Sequence, residues 1–585
     1  MKDTFKWVTI LFCFLGIGTP MGIVPGEEDP LLMRMAPEEV FMYASWAGTQ
    51  VADPDGNATE KWIAQKDMQR FWKDMDTKLQ KIAATAIENS DGDPALGQLD
   101  ALSLKLPKLL CRQPCGFYID QLTENGADFG GVLVINLGER KDEIAQHLNK
   151  AKSSIKKDSI KLTHEHGTDW LVSEADMWIE LETKIGIHEH YLVVGFSSGG
   201  LEPKVDSFFE NKDTPEPKWL TKIKEKLPVP RRASVGYVST PNMSRSFKEL
   251  DENVKTIGFV NGLDDEGYLG RAWIEGGDQS EFAKVVKGPI DKEVWGKLPG
   301  GNLFTATACI SKEEMFKAVE SVSGDAPVFK ELIADFEAFG GGVTLKDEFM
   351  KNVGDNVYVI GEPFSFMWGR MDSGFCLQVK DEMAFLDTIE GFAKRLKEVS
   401  EDNLKFTIET KIIEDVKVYL VTRKQRSKGW RKIYFTLHNS QLVVVNNLEL
   451  LKKFLFTQEL DEKQRWLNSK RIEQLYQFAN EQNLGEPNML FEVDPKPILK
   501  QVHSFSSTFE KSMGLARFPD ADTLVKGLEP CLSGVFKTED GIQIVQKNVL
   551  PSGTPVSFLG SASVIAHAMY VKSQAEMRAA TRPGL

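Results

Sequence analysis

Residues 433–455, IYFTLHNSQLVVVNNLELLKKFL, decide how the fold of this chain is interpreted. Two β-rich runs are joined by a polar turn that begins at His438, and an amphipathic run follows them. Residues 185–198, IGIHEHYLVVGFSS, have the same design and also lead into an amphipathic run. Aligning His188 with His438 brings much of the flanking sequence into parallel, which predicts one unit that occurs twice.

The two copies span residues 37–298 and 299–550, a period much longer than that of a solenoid repeat. Each copy alternates short β runs with single helical runs, and its strands arrive mostly as consecutive hairpins. This pattern predicts an α+β fold of two tandem homologous repeats, each with a mixed or antiparallel sheet and helices packed on one face. Residues 27–36, polar and proline-containing, are interpreted as a linker ahead of the first copy.

Both ends of the chain lie outside the two copies. Residues 1–26 have the features of an export signal, with a weakly positive start and a short apolar run. The residues after the apolar run match a signal-peptidase cleavage site only weakly. The alternative is therefore an uncleaved anchor formed by residues 7–23. The C-terminal tail, residues 551–585, is apolar over 556–571 and then basic. We interpret it as docking on a surface or a partner rather than crossing a membrane, and membrane contact by 556–571 is left open.

The composition restricts the classes of function. The chain has 585 residues, of which 42% are hydrophobic and 27% are charged, as in ordinary globular proteins. Its length predicts more than one domain. The formal net charge of −14 argues against nucleic acid as a partner, because such affinity comes mainly from neutralising phosphates.

Four histidines fall in two identical tripeptides, His164-Glu-His166 and His188-Glu-His190. Residues i and i+2 of a strand point to the same face, so each pair could present two imidazoles to one metal ion. Zinc or another divalent transition metal suits such a set of ligands. The second copy lacks these histidines, and the alternative is that they are solvated at a turn or a strand edge.

Ser197 lies in a Gly-Phe-Ser-Ser-Gly segment that fits the nucleophile elbow of serine hydrolases. That elbow belongs to a parallel α/β sheet, whereas the sheet predicted here is mixed or antiparallel. A hydrolase at Ser197 is therefore kept only as a distant alternative. We find no phosphate-binding loop, dinucleotide fingerprint or other motif that names a catalytic residue, and we predict none.

A basic segment separates two predicted strands of the second copy. Seven of its residues are assigned to partner binding: Arg423, Lys424, Arg426, Lys428, Trp430, Arg431 and Lys432. The first copy has an acidic segment, residues 173–182, in about the same place. Opposite charge could dock one copy against the other or attract an anionic envelope protein. The alternative is that both segments are solvated hairpin loops.

The cysteines give one further candidate contact. Cys111 and Cys115 are four residues apart, so a local disulfide is an option in an oxidising compartment. The alternative is that both are small, half-buried side chains.

The region 336–362 contains a glycine-rich run, followed by Leu345, Glu348 and Gly354 ahead of a strand. Together with APEEVFMY at residues 36–43, it resembles exported bacterial proteins that are grouped only as a domain of unknown function. The resemblance implies export and a common fold over most of residues 37–550, and it implies no chemistry. The first copy lacks the glycine that corresponds to Gly354.

These observations predict an exported, envelope-associated protein, either periplasmic or secreted, that binds a ligand or a partner and is not an enzyme. The alternative is a metal-binding protein that uses the four histidines. The sequence leaves the identity of the ligand and the oligomeric state open.

Overall fold

The computed structural model describes residues 24–70, 112–123, 128–153, 160–173, 181–199, 201–241, 253–295, 298–313, 350–362, 372–387, 406–413, 415–423, 432–456, 465–501 and 519–550, with a few isolated positions between them. The predicted anchor of residues 7–23 and the C-terminal tail of residues 551–585 lie outside these ranges.

Twenty strands lie in the described ranges. They are β1 Met42–Ala47, β2 Pro114–Leu122, β3 Phe129–Asn136, β4 Ile160–Glu165, β5 Thr168–Ser173, β6 Leu181–His188, β7 Tyr191–Ser198, β8 Arg231–Ser239, β9 Thr256–Leu263, β10 Tyr268–Glu275, β11 Phe304–Cys309, β12 Val353–Gly361, β13 Ser373–Val379, β14 Phe406–Ile413, β15 Val416–Arg423, β16 Lys432–His438, β17 Gln441–Val445, β18 Met489–Val493, β19 Cys531–Thr538 and β20 Gly541–Asn548.

The helices with defined bounds are mostly short: α1 Ala58–Ile63, α2 Lys141–Ser153, α3 Asp206–Asn211, α4 Lys218–Lys226, α5 Glu281–Val285, α6 Lys292–Trp295, α7 Met350–Asn352, α8 Leu448–Leu455, α9 Lys470–Glu481 and α10 Ala521–Val525. Further helical residues lie at 66–70, 382–387 and 495–501. Three single 3₁₀ turns accompany them: Gly138–Arg140, Gly277–Gln279 and Trp466–Asn468.

The chain divides into two compact units. Unit 1 comprises residues 1–276, 502–529 and 544–585, and unit 2 comprises residues 277–501 and 530–543. In unit 1 the strands follow one another across the sheet as β4-β5-β6-β7-β3-β2-β1-β8-β9-β10, and each neighbouring pair is antiparallel. In unit 2 the order is β14-β15-β16-β17-β13-β12-β11-β18-β19, also antiparallel throughout. Nine strands of each unit therefore follow the same order.

The predicted fold class is wrong. We expected an α+β arrangement of two repeats, each with a mixed or antiparallel sheet under a layer of helices. The described residues are instead mostly antiparallel sheet with few helices, and only α2 and α9 among the helices named above exceed ten residues. The physical reason is long-range pairing. Hairpin signals are local, whereas β1–β8 and β3–β7 join strands far apart in the sequence and merge the hairpins into a continuous sheet.

Helix α2 positions the region of interest in unit 1. Its buried side chains Ile144, Leu148 and Ala151 recur at spacings of four and three, so they form one stripe along the helix. This stripe packs in a cluster that includes Leu171 of β5 and Leu192 of β7. The helix is thereby fixed on the sheet beside the β4–β5 hairpin.

The segment interpreted as a linker, residues 27–36, contributes to the core of unit 1. Leu32 and Met35 are fully buried. The carboxylate of Asp29 accepts hydrogen bonds from Asn136 Nδ2 at 2.7 Å and from Tyr191 Oη at 3.2 Å, which ties the segment to β3 and β7. No helix in the described ranges combines the length and the apolar character that a membrane crossing needs.

Candidate binding cleft

Each His-Glu-His tripeptide begins at the end of a strand and continues into the turn of its hairpin, and the two hairpins are adjacent. Strand β4 ends at Glu165, and the turn that follows has left-handed backbone at His166 (φ 51°) and Gly167 (φ 68°). Strand β6 ends at His188, and its turn has Glu189 at φ 53°. Because each tripeptide spans the end of a strand, the two-residue alternation on which the metal prediction depended does not hold there.

His164 pairs with an aspartate across its own hairpin. Its Nδ1 lies 2.8 Å from Asp169 Oδ1, since the two residues are directly opposite each other in the β4–β5 ladder. Lys152, from the last turn of α2, places its Nζ 3.4 Å from Asp169 Oδ2. The pKa of the Asp169 carboxyl is held below its usual range, first by the hydrogen bond with His164 and then by the charge of Lys152.

The other three histidines contact different partners. His166 Nε2 lies 2.7 Å from Asp206 Oδ1 of α3, and its ring stacks on Phe209 with centroids 4.2 Å apart. His188 Nδ1 lies 3.2 Å from Thr168 Oγ1, and burial lowers the pKa of this imidazole. His190 is exposed, and its ring tilts against that of its neighbour Tyr191 at 4.1 Å.

These contacts do not gather His164, His166, His188 and His190 around one point. In the part of the chain that the structure describes, no group of three or more histidine, cysteine or carboxylate side chains is arranged to hold a metal ion. The site predicted for zinc or another divalent transition metal therefore gains no support from the geometry, and it stays a prediction.

An open cleft lies between α2 and the turn of the β4–β5 hairpin. Its volume is about 290 Å³. Leu148, Ala145 and Ile187 give it an apolar side, and the remaining lining residues are polar or glycine: Asn149, Lys152, His164, Gly167, Thr168 and Asp169. Lys152 is mostly covered, with 22% of its side chain exposed. The cleft thus combines apolar side chains with a lysine, a histidine and a carboxylate.

Ser197 does not have the surroundings of a nucleophile. It lies in β7, between the antiparallel neighbours β6 and β3, and its side chain is fully buried. Its hydroxyl donates a hydrogen bond to the backbone carbonyl of Leu201. The parallel strand and exposed hydroxyl that a nucleophile elbow needs are both missing at this serine.

Most of the predicted partner-binding residues fall outside the described ranges. Arg423 ends β15, and Lys432, which is exposed, begins β16. The residues between them that were assigned to the same role lie outside the described residues: Lys424, Arg426, Lys428, Trp430 and Arg431. The assignment stays a prediction.

The predicted disulfide and the resemblance also depend partly on residues outside the described ranges. Cys111 is one of them, whereas Cys115 is buried in β2 with its Sγ 3.7 Å from the carbonyl oxygen of Leu110. Leu345 and Glu348 lie outside as well, and Gly354 is the second residue of β12. The disulfide therefore stays a prediction.

Sequence reasoning missed the partners of the histidines. Asp169 could have been found, because a hairpin with a two-residue turn at 166–167 places position 169 opposite position 164. Asp206 and Lys152 gave no such signal, since they reach the turns from helices elsewhere in the sequence.

Comparison with known proteins adds little. No protein-family model and no curated protein sequence matches the chain. Solved structures of TP0453 in crystal forms III and I are similar in part, with 15% and 11% identity and TM-scores of 0.23 and 0.20. They cover 43% and 42% of this chain, and 80% and 78% of their own. At such TM-scores the likeness supports no conclusion about fold or function.

Proposed function

We propose that the chain is an exported, envelope-associated protein that acts by binding and not by catalysis, and that the cleft beside α2 is its ligand site. One observation supports the site above the others. Lys152, His164 and Asp169 converge at a cleft whose lining also includes the apolar side chains of Leu148 and Ile187. A few polar groups that converge beside apolar surface are typical of small-molecule sites.

The charges at this cleft indicate the class of ligand. Lys152 and His164 both approach the single carboxylate of Asp169, one at each oxygen. A ligand carboxylate or phosphate could take the place of the Asp169 side chain and accept from the same two donors. The apolar wall of Leu148 and Ile187 would hold a short hydrocarbon part of the ligand. We therefore propose a small organic anion.

The test is calorimetric titration of the purified protein with short-chain carboxylates and with alkyl phosphates. Lys152→Gln should weaken binding about tenfold or more, since it removes the covered cation. Lys150→Gln is the matched control, because this exposed lysine lies on the same helix and does not line the cleft. Equal affinity of both variants, or no binding by the wild-type protein, would contradict the proposed site.

Export and envelope association need a separate experiment. The full chain with a C-terminal tag is expressed in the source cells, and cytosol, membrane and periplasmic or culture fractions are compared. Recovery in the cytosolic fraction alone would contradict the proposal. Affinity capture from envelope extract at low and high salt then tests for an anionic protein partner, because contacts through the 423–432 segment should weaken as salt screens the charges.

A further inference from the structure

Strand β14 lies at the margin of unit 2 and pairs on one side. Its ladder with β15 runs through eight consecutive pairs without a bulge, so the pairing is regular. Among the described strands, β15 is the one with which β14 forms a ladder. Residues 409–412 are exposed. A regular, exposed edge of this kind offers a row of backbone donors and acceptors to another strand.

The exposed charges of this edge are complementary to those of the same edge in a second, antiparallel copy. Glu409 and Lys411 are two residues apart on the same face, with Oε2 and Nζ separated by 3.5 Å. About half of each side chain is exposed, 56% for Glu409 and 49% for Lys411. When this strand is reversed end to end about Thr410, the glutamate takes the place of the lysine and the lysine that of the glutamate.

We infer that β14 pairs with β14 of a second copy of this chain, in an antiparallel ladder centred on Thr410. The two-fold axis of such a pair passes perpendicular to the sheet, so the ladder must be centred on a residue. Centring on Glu409 places two glutamates opposite each other, and centring on Lys411 does the same with two lysines. Centring on Thr410 sets Glu409 opposite the second copy's lysine at position 411 and Lys411 opposite its glutamate at position 409. Cross-strand pairs favour opposite charge and disfavour like charge.

An exposed apolar side chain supports the same partner. Ile412 is 67% exposed, which makes it one of the most exposed large apolar residues in the described ranges. In the ladder centred on Thr410 it lies opposite position 408 of the second copy, where the joined sheets would cover it. Exposed apolar residues on an open edge are otherwise an aggregation hazard.

The corresponding edge of unit 1 is less suited to this role. Strand β4 is six residues long. The carboxylate of Glu165 is already bound to the ammonium of Lys184, and His164 is bound to Asp169. Its charged side chains are therefore engaged within the chain, whereas the Glu409 and Lys411 contact is with each other on the same strand.

The experiment is sedimentation equilibrium of the full chain and a charge-reversal cycle. Glu409→Lys and Lys411→Glu should each weaken dimerisation roughly tenfold or more, because each single change creates two like-charge pairs across the axis. The double variant should recover the wild-type association, because it restores both opposite-charge pairs. Lys161→Glu on β4 is the matched control and should leave association unchanged. All three positions are exposed, and circular dichroism verifies that the variants fold.

A cross-link tests the register directly. Thr410→Cys should form a disulfide-linked dimer under mild oxidation, because residue 410 is the one position of β14 that lies opposite itself, and Lys161→Cys should not. A monomeric wild-type protein at about 100 µM would overturn the inference. So would a double variant that fails to recover association, or a Lys161→Glu variant that dissociates while Glu409→Lys does not.

Discussion

The ion pair of Glu60 and Arg231 is the sharpest test of what holds the start of unit 1 together. Arg231 Nη1 and Nη2 donate to the two carboxylate oxygens of Glu60, both at 2.9 Å. Glu60 is also the third residue of α1, where it completes a capping box with Asn57. Its side chain is 4% exposed and that of Arg231 is 39% exposed. Glu60→Gln keeps the shape and removes the charge.

The expected loss follows from these contacts. Hydrogen bonds to charged groups contribute about 1.5–3 kcal/mol each, and the glutamine amide can replace only one of the two acceptors. Because Arg231 is partly exposed to water, we take a value in the lower half of this range. We expect the free energy of unfolding of unit 1 to fall by about 2 kcal/mol. This corresponds to roughly a thirtyfold change in the equilibrium between folded and unfolded states.

The assay is urea unfolding followed by tryptophan fluorescence, to which buried Trp62 of the same helix contributes. Arg231→Met and the double variant complete a thermodynamic cycle, which separates the pairwise contribution from the loss of the cap. A loss below about 0.5 kcal/mol, the range of exposed ion pairs, would refute the argument that burial strengthens this pair.

The pH dependence of this pair has a definite sign. The hydrogen bond from Arg231 is the main cause that lowers the pKa of Glu60 in the folded state. A carboxyl with a lowered pKa stabilises the fold above its unfolded value and loses that contribution as the pH falls through the folded value. The difference between wild type and Glu60→Gln should therefore be constant near pH 7 and shrink below about pH 4.5.

Three further changes test the packing of unit 2. Ser440→Gly should raise its stability by roughly 0.5–1 kcal/mol in urea unfolding, because Ser440 has φ 58° and loses only an exposed hydrogen bond to Glu382. Tyr358→Phe should cost about 1 kcal/mol in the same assay, because the buried hydroxyl donates to the Pro299 carbonyl at 2.8 Å. Burial raises the pKa of Glu492 to about 7, so the stability that this group contributes should fall as the pH rises from about 4.5 through 7. Glu492→Gln should flatten that pH profile, and an unchanged slope would contradict the assignment.

The local elements of the fold could be predicted from the sequence, and their assembly could not. The hairpin about His438 forms as expected, with β16 and β17 joined by a turn at 439–440. Its signal is contained in consecutive residues. The pairing of β1 with β8 joins segments almost 200 residues apart, and no local pattern specifies it. Pairings of this kind build the extended antiparallel sheet of unit 1, which the local signals for hairpins and helices did not predict.

The strand ends at the candidate site could not be predicted from the sequence, for a related reason. The metal prediction placed both histidines of each tripeptide on one strand, whereas β4 ends one residue before His166 and β6 ends two residues before His190. His164 lies on β4, whereas His166 lies in the turn and contacts α3. The strand end depends on where the left-handed turn residues fall, and a His-Gly turn is a weaker signal than Asn-Gly.

Corresponding hairpins of the two units have become chemically different at their turns. In unit 2, the turn of the β16–β17 hairpin consists of Asn439 and Ser440, and both residue types are common in turns. In unit 1, the β6–β7 hairpin turns through Glu189 with His188 beside it, and His188 contacts Thr168 of the next hairpin. The turn residues are under weak structural constraint, since the strands on either side fix the sheet. The turns of unit 1 can therefore acquire the residues of the proposed ligand site without change to the order of strands that the two units share.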